Sequence, residues 1–226
     1  MSNLFRAELY KTIHRQSFGI CITFAIIVEF INGFLHGGNL VDTMTLLVEI
    51  IGLVTCALFA GLFIGNDFGN RTIFHTATSG KSRVCVWISK YLAYFVVGFI
   101  ILLVNALAIN ISFILFHGIK AGVLAENLVG IFIYSLAGIF YDLCLVSIFF
   151  LVTMQAKDSG ISIAISIVSV GAIISNYKVF WVDRLFPLLN CDTIMGNIPI
   201  TSLLIIIVLP LVLMLVGIIL FKQRDM

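Results

Sequence analysis

Six apolar stretches alternate with short polar connections along the chain. A helix needs roughly 20 largely apolar residues to cross about 30 Å of hydrocarbon. The six stretches are long enough, so the sequence predicts an all-α integral membrane fold with six transmembrane helices. They lie at about 17–35, 46–64, 92–116, 128–152, 160–176 and 201–221. Serines and Gly171 dilute the fifth stretch, but small and hydroxyl-bearing residues are common where membrane helices pack closely, so it is counted as a span.

Two segments outside these spans are partly apolar. Residues 1–16 place Leu4, Leu9 and Ile13 on one side of a helix and charged residues on the other, which is typical of a helix lying at the membrane interface. The alternative is a cytoplasmic extension of the first span, and the two differ only in a bend near Gln16–Ser17. The connection 177–200 is too short to span twice, so we expect it to re-enter the outer leaflet, with Trp181 at the interface.

Composition and charge fix the class and the orientation. The 226 residues are 61% hydrophobic and only 11% charged, whereas soluble domains carry about 25% charged residues. The sequence therefore predicts a single polytopic membrane domain over 1–226. Ten of the 13 Lys and Arg residues fall on one face, in the N-terminal segment, the second and fourth connections and the C-terminal tail. By the positive-inside rule both termini and the 65–90 connection are cytoplasmic.

The 65–90 connection is the most polar and basic part of the chain. Asp67 or Asn70 is placed to cap a short helix over about 71–79, and Gly80 is placed to end it. Ile73 and Phe74 would give that helix an apolar face, suited to docking a cytoplasmic protein. The alternative is an ordinary basic loop. Residues 80–82 read Gly-Lys-Ser, but a phosphate-binding loop needs a glycine at position 75, where this chain has histidine.

Three acids lie in or near the apolar spans: Glu29, Glu49 and Asp142. A charge near the bilayer centre costs about 2.5–3.5 kcal/mol on insertion scales, so such residues usually face a partner or an aqueous cavity. Glu49 is close enough to a span end to be solvated at the interface. Glu29 and Asp142 are either protonated groups in helix packing or part of a translocation path for cationic cargo, to which Asn105 would contribute hydrogen bonds.

Other residue patterns favour structure over chemistry. Small residues recur every four positions at the end of the second span, which permits close helix packing: Ala57, Gly61, Gly65 and Gly69. The five cysteines form no CxxC, and no catalytic pair or metal-ligand spacing is present. We therefore expect no enzymatic activity, metal or cofactor in this chain, and no nucleic-acid partner.

Several motifs in fixed order carry a family resemblance. They are Glu8-Leu9-Tyr10-Lys11, Gly65-Asn66-Asp67-Phe68-Gly69-Asn70-Arg71-Thr72, Thr78-Ser79-Gly80-Lys81-Ser82-Arg83, and Lys90 at the head of the third span. In this pattern the chain resembles the membrane (permease) subunits of type-2 ABC exporters. It is most similar to the small ones of Gram-positive bacteria that are linked to bacitracin resistance, lantibiotic immunity and export of amphipathic peptides. The resemblance covers essentially the whole length, although the chain has no fused ATPase.

The resemblance implies a partner and a mechanism. It implies a bacterial plasma-membrane protein that pairs with a second copy of itself or a paralogous permease. A separate cytoplasmic ABC ATPase would bind the ATP and Mg, and amphipathic peptides or antibiotics would be the cargo. It also implies that the 65–90 connection docks the ATPase through residues matching the motif, namely Asp67, Phe68, Arg71, Thr72, Ile73, Phe74, Ser79, Lys81 and Arg83. The intramembrane acids belong to none of these motifs.

Two other function classes remain open at this point. An ion-coupled secondary carrier would use Glu29 and Asp142 as titrating groups, although such carriers usually show inverted repeats and broken helices. A non-transporting membrane module would recruit or sense a partner through the same basic connection. Dependence of transport on ATP or on the proton gradient separates the first from an ABC exporter.

Overall fold

Seven helices make up the part of the chain that the computed structural model describes, which is residues 2–35, 51–70, 72, 82–117, 124–156, 159–175 and 200–222. No strand occurs within these ranges, so the all-helical prediction is confirmed for them. The helices are α1 (Ser2–Ile13), α2 (Gln16–Leu35), α3 (described as Ile51–Gly69), α4 (Arg83–His117), α5 (Leu124–Ala156), α6 (Ser159–Ser175) and α7 (Ile200–Lys222).

Three of these helices, α2, α3 and α4, are each long and apolar enough to cross a membrane. Among residues with described side chains, the later helices contribute shorter apolar segments, Asp142–Ala156, Gly160–Gly171 and Ile207–Lys222. The number of spans and their orientation therefore stay predictions. The re-entrant segment predicted over 177–200 lies outside the described residues.

A short break separates α1 from α2. The backbone N–H of Arg15 donates to Thr12 O at 3.4 Å, and the N–H of Phe18 donates to Arg15 O at 3.0 Å, which turns the chain between the two helices. This break lies within two residues of the predicted bend. The buried face of α1 differs from the predicted apolar face, because Glu8 and Thr12 are buried beside Leu4 while Ile13 is exposed. Thr12 is satisfied locally, since its hydroxyl donates to Glu8 O at 2.6 Å.

One turn of α3 is wider than an α-helix. Residues Gly61–Gly65 are π-helical, and α6 packs directly against them. A Cβ added to Gly61 would lie 2.3 Å from Ile163 Cγ1 and 3.0 Å from its backbone nitrogen. The close packing predicted for the small-residue stripe therefore occurs at Gly61, whereas a Cβ on Gly69 would meet nothing within 4 Å.

The core of the described structure lies around α4, which packs against α1, α2, α5 and α7. Its largest buried side chains are aromatic. Tyr94 stacks on Phe59 of α3, with ring centroids 6.0 Å apart, and its hydroxyl donates to Cys56 O at 3.1 Å. Phe150 of α5 meets Trp87 edge-to-face at 5.2 Å. These contacts fix the first turns of α4 against α3 and α5.

Candidate functional site

A cluster of buried charges lies where α1, α3 and α4 meet. Asp67 is a buried residue, and its carboxylate contacts Lys11 Nζ at 2.9 Å, Arg15 Nη1 at 3.2 Å and the ammonium of Lys90. Lys90 also donates to Glu8 Oε2 at 3.1 Å. We call these five residues, Glu8, Lys11, Arg15, Asp67 and Lys90, the ion cluster. It joins parts of the chain that are up to 82 positions apart.

Local structure brings each member to this point. Glu8 and Lys11 are three residues apart on α1 and so project from the same side of that helix. Arg15 follows in the break before α2, Asp67 is in the last turn of α3, and Lys90 is about two turns into α4. The cluster therefore ties the N-terminal helix to both helices that flank the 65–90 connection.

The charges in the ion cluster are not equally accessible. The side chains of Asp67 and Lys90 are each 1% exposed, whereas Lys11 is 39% and Arg15 20% exposed. The Asp67–Lys90 pair is thus shielded from water, and the other two cations reach the surface. Ion pairs that lose their hydration gain little net stability, but removing one partner from such a pair is costly because the other charge stays buried. Removing any one member of the cluster is therefore expected to cost more than the net stability that the intact cluster contributes.

The ion cluster also reaches the π-helical turn of α3. Arg15 Nη1 donates to the backbone oxygen of Phe63 at 3.2 Å, in addition to its contact with Asp67. Lys90 Nζ lies 5.4 Å from the centroid of the Phe63 ring, within the range of a cation–π interaction. Phe63 is thus contacted by two of the cluster's cations.

Both ends of the 65–90 connection are helical and anchored. Asp67 O accepts a hydrogen bond from Thr72 Oγ1 at 3.1 Å, just after α3 ends. At the other end, Ser82 Oγ accepts from the backbone N–H of Cys85 at 3.3 Å, which caps the start of α4. Helix therefore extends into the predicted connection from both sides, since α3 continues to Gly69 and α4 begins at Arg83.

The residues predicted to couple to an ATPase fall into two groups. Asp67 and Phe68 are buried, so their side chains face the protein interior. Thr72 is half-buried and Arg83 is exposed at the first residue of α4. The other predicted members lie outside the described residues: Arg71, Ile73, Phe74, Ser79 and Lys81.

The residues predicted for a translocation path are brought together only in part. Glu29 of α2 is fully buried, and its carboxylate accepts hydrogen bonds from Asn105 Nδ2 of α4 at 3.1 Å and from Asn32 Nδ2 at 3.4 Å. Asp142 is buried on α5. Glu49 lies outside the described residues. The amide groups give the Glu29 carboxylate partners within the helix bundle.

Sequence reasoning missed the ion cluster. It assigns Glu8 to the polar face of α1, and it treats Lys90 only as a motif position. The available signal is the spacing of Leu4, Glu8 and Thr12, which puts all three on one face of α1. A lone acid on a face that is otherwise buried predicts a buried cation opposite it.

No group of three or more His, Cys, Asp and Glu side chains that could hold a metal ion occurs among the described residues. No protein-family model matches the sequence, and comparison with curated proteins gives no match either.

Proposed function

We propose that this chain is the permease subunit of an ATP-driven ABC exporter in a bacterial plasma membrane. It would have six spans, with both termini cytoplasmic, and would act as a dimer with a second copy or a paralogous permease. A separate cytoplasmic ATPase would bind ATP and Mg and dock on the 65–90 connection. The cargo would be amphipathic peptides or peptide antibiotics.

The observation that carries this proposal is the position of the ion cluster. Residues 71–81, which hold most of the docking motif, begin four residues after Asp67 and end nine residues before Lys90. Because Asp67 and Lys90 are bonded to each other and to α1, a displacement applied to residues 71–81 is passed to α1, α3 and α4 together as long as the cluster is closed. Such a junction suits a connection that receives mechanical work from another protein.

The length of α4 supports a cytoplasmic position for this junction. At 1.5 Å per residue its 35 residues extend about 52 Å, well beyond the roughly 30 Å of a hydrocarbon core. Its basic residues, Arg83 and Lys90, are both in its first turns. The positive-inside rule therefore favours projection of this end into the cytoplasm, where a soluble ATPase has access to it.

Co-purification tests the docking assignment. The chain would be co-expressed with each ABC ATPase encoded in the same genome, and the ATPase recovered per permease would be measured. We expect Phe74→Ala and Arg71→Glu to reduce recovery at least about tenfold, since a few anchor residues dominate most interfaces. Phe68 is a poorer probe because it is buried in the core.

Lys120→Glu is the matched control for the charge reversal, because the predicted topology places Lys120 on the opposite face of the membrane from the connection. It should leave recovery unchanged. If the Phe74 and Arg71 variants retain full ATPase association and full stimulation of ATP hydrolysis, the connection is not the docking site.

An ion-coupled carrier is the second candidate, favoured by one observation. Glu29 is a fully buried carboxylate bonded to Asn105 and Asn32 between two apolar helices, the kind of position that intramembrane proton sites occupy. In that case Glu29→Gln would abolish transport driven by a proton gradient in vesicles without ATP. An ABC exporter would show no transport driven by a proton gradient, with either the natural sequence or Glu29→Gln. A complex that transports nothing, and whose ATPase no substrate stimulates, would indicate a recruitment or sensing module.

A further inference from the structure

The π-helical turn of α3 and the ion cluster constrain each other. The turn at Gly61–Gly65 ends two residues before Asp67, whose carboxylate contacts three cations. A π-helical turn holds one more residue than an α-helical turn, so it sets the direction in which every later residue of the helix points. With the first part of α3 fixed, Asp67 reaches the cluster only while this turn is wide.

The size of this effect follows from helix geometry. Converting the wide turn into an α-turn shifts the rest of α3 by one residue, a rotation of about 100° and a translation of about 1.5 Å. At the side-chain periphery of a helix this rotation displaces an atom by about 8 Å. The Lys11–Asp67 contact of 2.9 Å cannot survive such a displacement. The two helical forms of this turn therefore correspond to an intact and an open cluster.

Two contacts hold the wide turn from outside α3. Arg15 donates both to Phe63 O within the turn and to Asp67 Oδ1 beyond it, at 3.2 Å in each case. At the start of the turn, the backbone of Ile163 in α6 lies so close that only glycine fits at position 61. Glycines stand at both ends of the turn, Gly61 and Gly65, and they lower the cost of leaving α-helical geometry. Arg15 bridges the turn and the cluster by hydrogen bonds, and Lys90 adds a contact with the Phe63 ring.

We infer that Gly61–Gly65 is a register switch. In one state the turn is π-helical, Arg15 bridges Phe63 O and Asp67, and the ion cluster is closed. In the other state the turn is α-helical, and the last turn of α3 has rotated Asp67 away from Lys11, Arg15 and Lys90. The switch belongs to this chain alone and does not depend on the identity of any partner or cargo. It couples the direction of the last turn of α3 to the packing of α6 on Gly61.

A fluorine probe beyond the switch counts the two states directly. Asn70 is exposed directly after α3, so Asn70→Cys carrying a trifluoromethyl group reports rotation of that helix end by ¹⁹F NMR in lipid nanodiscs. Cys85 and Cys191 would be replaced by alanine. The three buried cysteines, Cys21, Cys56 and Cys144, stay in place. A control protein that lacks Cys85 and Cys191 but keeps Asn70 shows whether these three react with the trifluoromethyl reagent.

Arg15→Leu is the variant that should shift the equilibrium. It removes both hydrogen bonds that stabilise the wide turn, and charge-assisted hydrogen bonds of this kind are strong enough to change a population ratio at least about tenfold. We expect a second resonance that is minor in the labelled parent protein and major in Arg15→Leu. A single resonance at the same position in both proteins overturns the inference.

Deletion of Leu62 separates the switch from general destabilisation. Removing one residue from a π-turn leaves an α-turn with Asp67 still in register, so this protein should give one resonance at the closed position, unchanged by Arg15→Leu. Deletion of Leu58, one turn earlier, is the matched control. It moves Leu62 into the place where Gly61 meets Ile163, and should lose the closed resonance. A Leu62 deletion that behaves like the Leu58 deletion, or fails to fold, overturns the inference.

Discussion

Lys90 is the side chain whose replacement tests the ion cluster most sharply. Lys90→Met keeps the length and apolar volume of the side chain and removes only its charge. Glu8 then loses the cation to which it is bonded at 3.1 Å, whereas Asp67 keeps Lys11 and Arg15. Breaking a buried pair by removing one partner costs about 3–5 kcal/mol, and the remaining cations near Asp67 place this case at about 3 kcal/mol.

This loss is large enough to measure. For chains of 150–250 residues, 1 kcal/mol corresponds to about 2–4 °C in Tm, so we expect Lys90→Met to lower Tm by about 6–12 °C. The assay is thermal unfolding of the purified protein in one detergent, followed by tryptophan fluorescence. Lys222→Met makes the same chemical change at an exposed position and should stay within about 0.5 kcal/mol of the natural sequence.

A double-mutant cycle identifies the origin of the effect. Glu8→Gln combined with Lys90→Met should be less destabilising than the sum of the two single changes, by at least about 1 kcal/mol, because each single change leaves its partner charge buried. A Tm for Lys90→Met within about 2 °C of the natural sequence, or strict additivity in the cycle, would refute the buried pairing on which the junction depends.

Two further substitutions test helix packing. Gly61→Ala should destabilise the protein by about 1–3 kcal/mol, because the new Cβ meets the backbone of Ile163. Gly69→Ala should be nearly neutral, since nothing lies within 4 Å of the added Cβ. Unfolding in mixed micelles measures both variants, and equal effects would contradict the close packing at Gly61. Asn105→Leu should cost about 1–3 kcal/mol by removing a hydrogen-bond donor from Glu29, and a second change of Glu29 to Leu should recover part of that loss. No recovery in the double variant would contradict the Glu29–Asn105 bond.

The helices were largely predictable from the sequence because hydropathy responds directly to the need to bury backbone polar groups in an apolar environment. The described bounds of α2, Gln16–Leu35, differ by one residue from the predicted span at its start. The bounds of α4 and α5 extend beyond the predicted spans, since polar residues continue a helix past the end of its apolar core. Hydropathy alone does not register such extensions.

The candidate site was predictable only in part. The sequence singled out Asp67 and the connection after it, because a motif and a charge asymmetry are both local signals. The pairing of Asp67 with Lys11, Arg15 and Lys90 joins residues 23 to 56 positions apart. Contacts over such distances produce no periodic pattern in the local sequence. The π-turn was also missed, because one extra residue in a helical turn does not alter composition or hydropathy.

The most direct test of the proposed function is the energy source of transport. The chain and the ABC ATPase that co-purifies with it would be reconstituted in liposomes, with the ATPase outside, and entry of a fluorescent amphipathic cationic peptide would be followed. We predict uptake that requires ATP, persists when a protonophore collapses the gradient, and falls at least about tenfold in Phe74→Ala. Uptake that needs no ATP and disappears with the proton gradient would contradict the account.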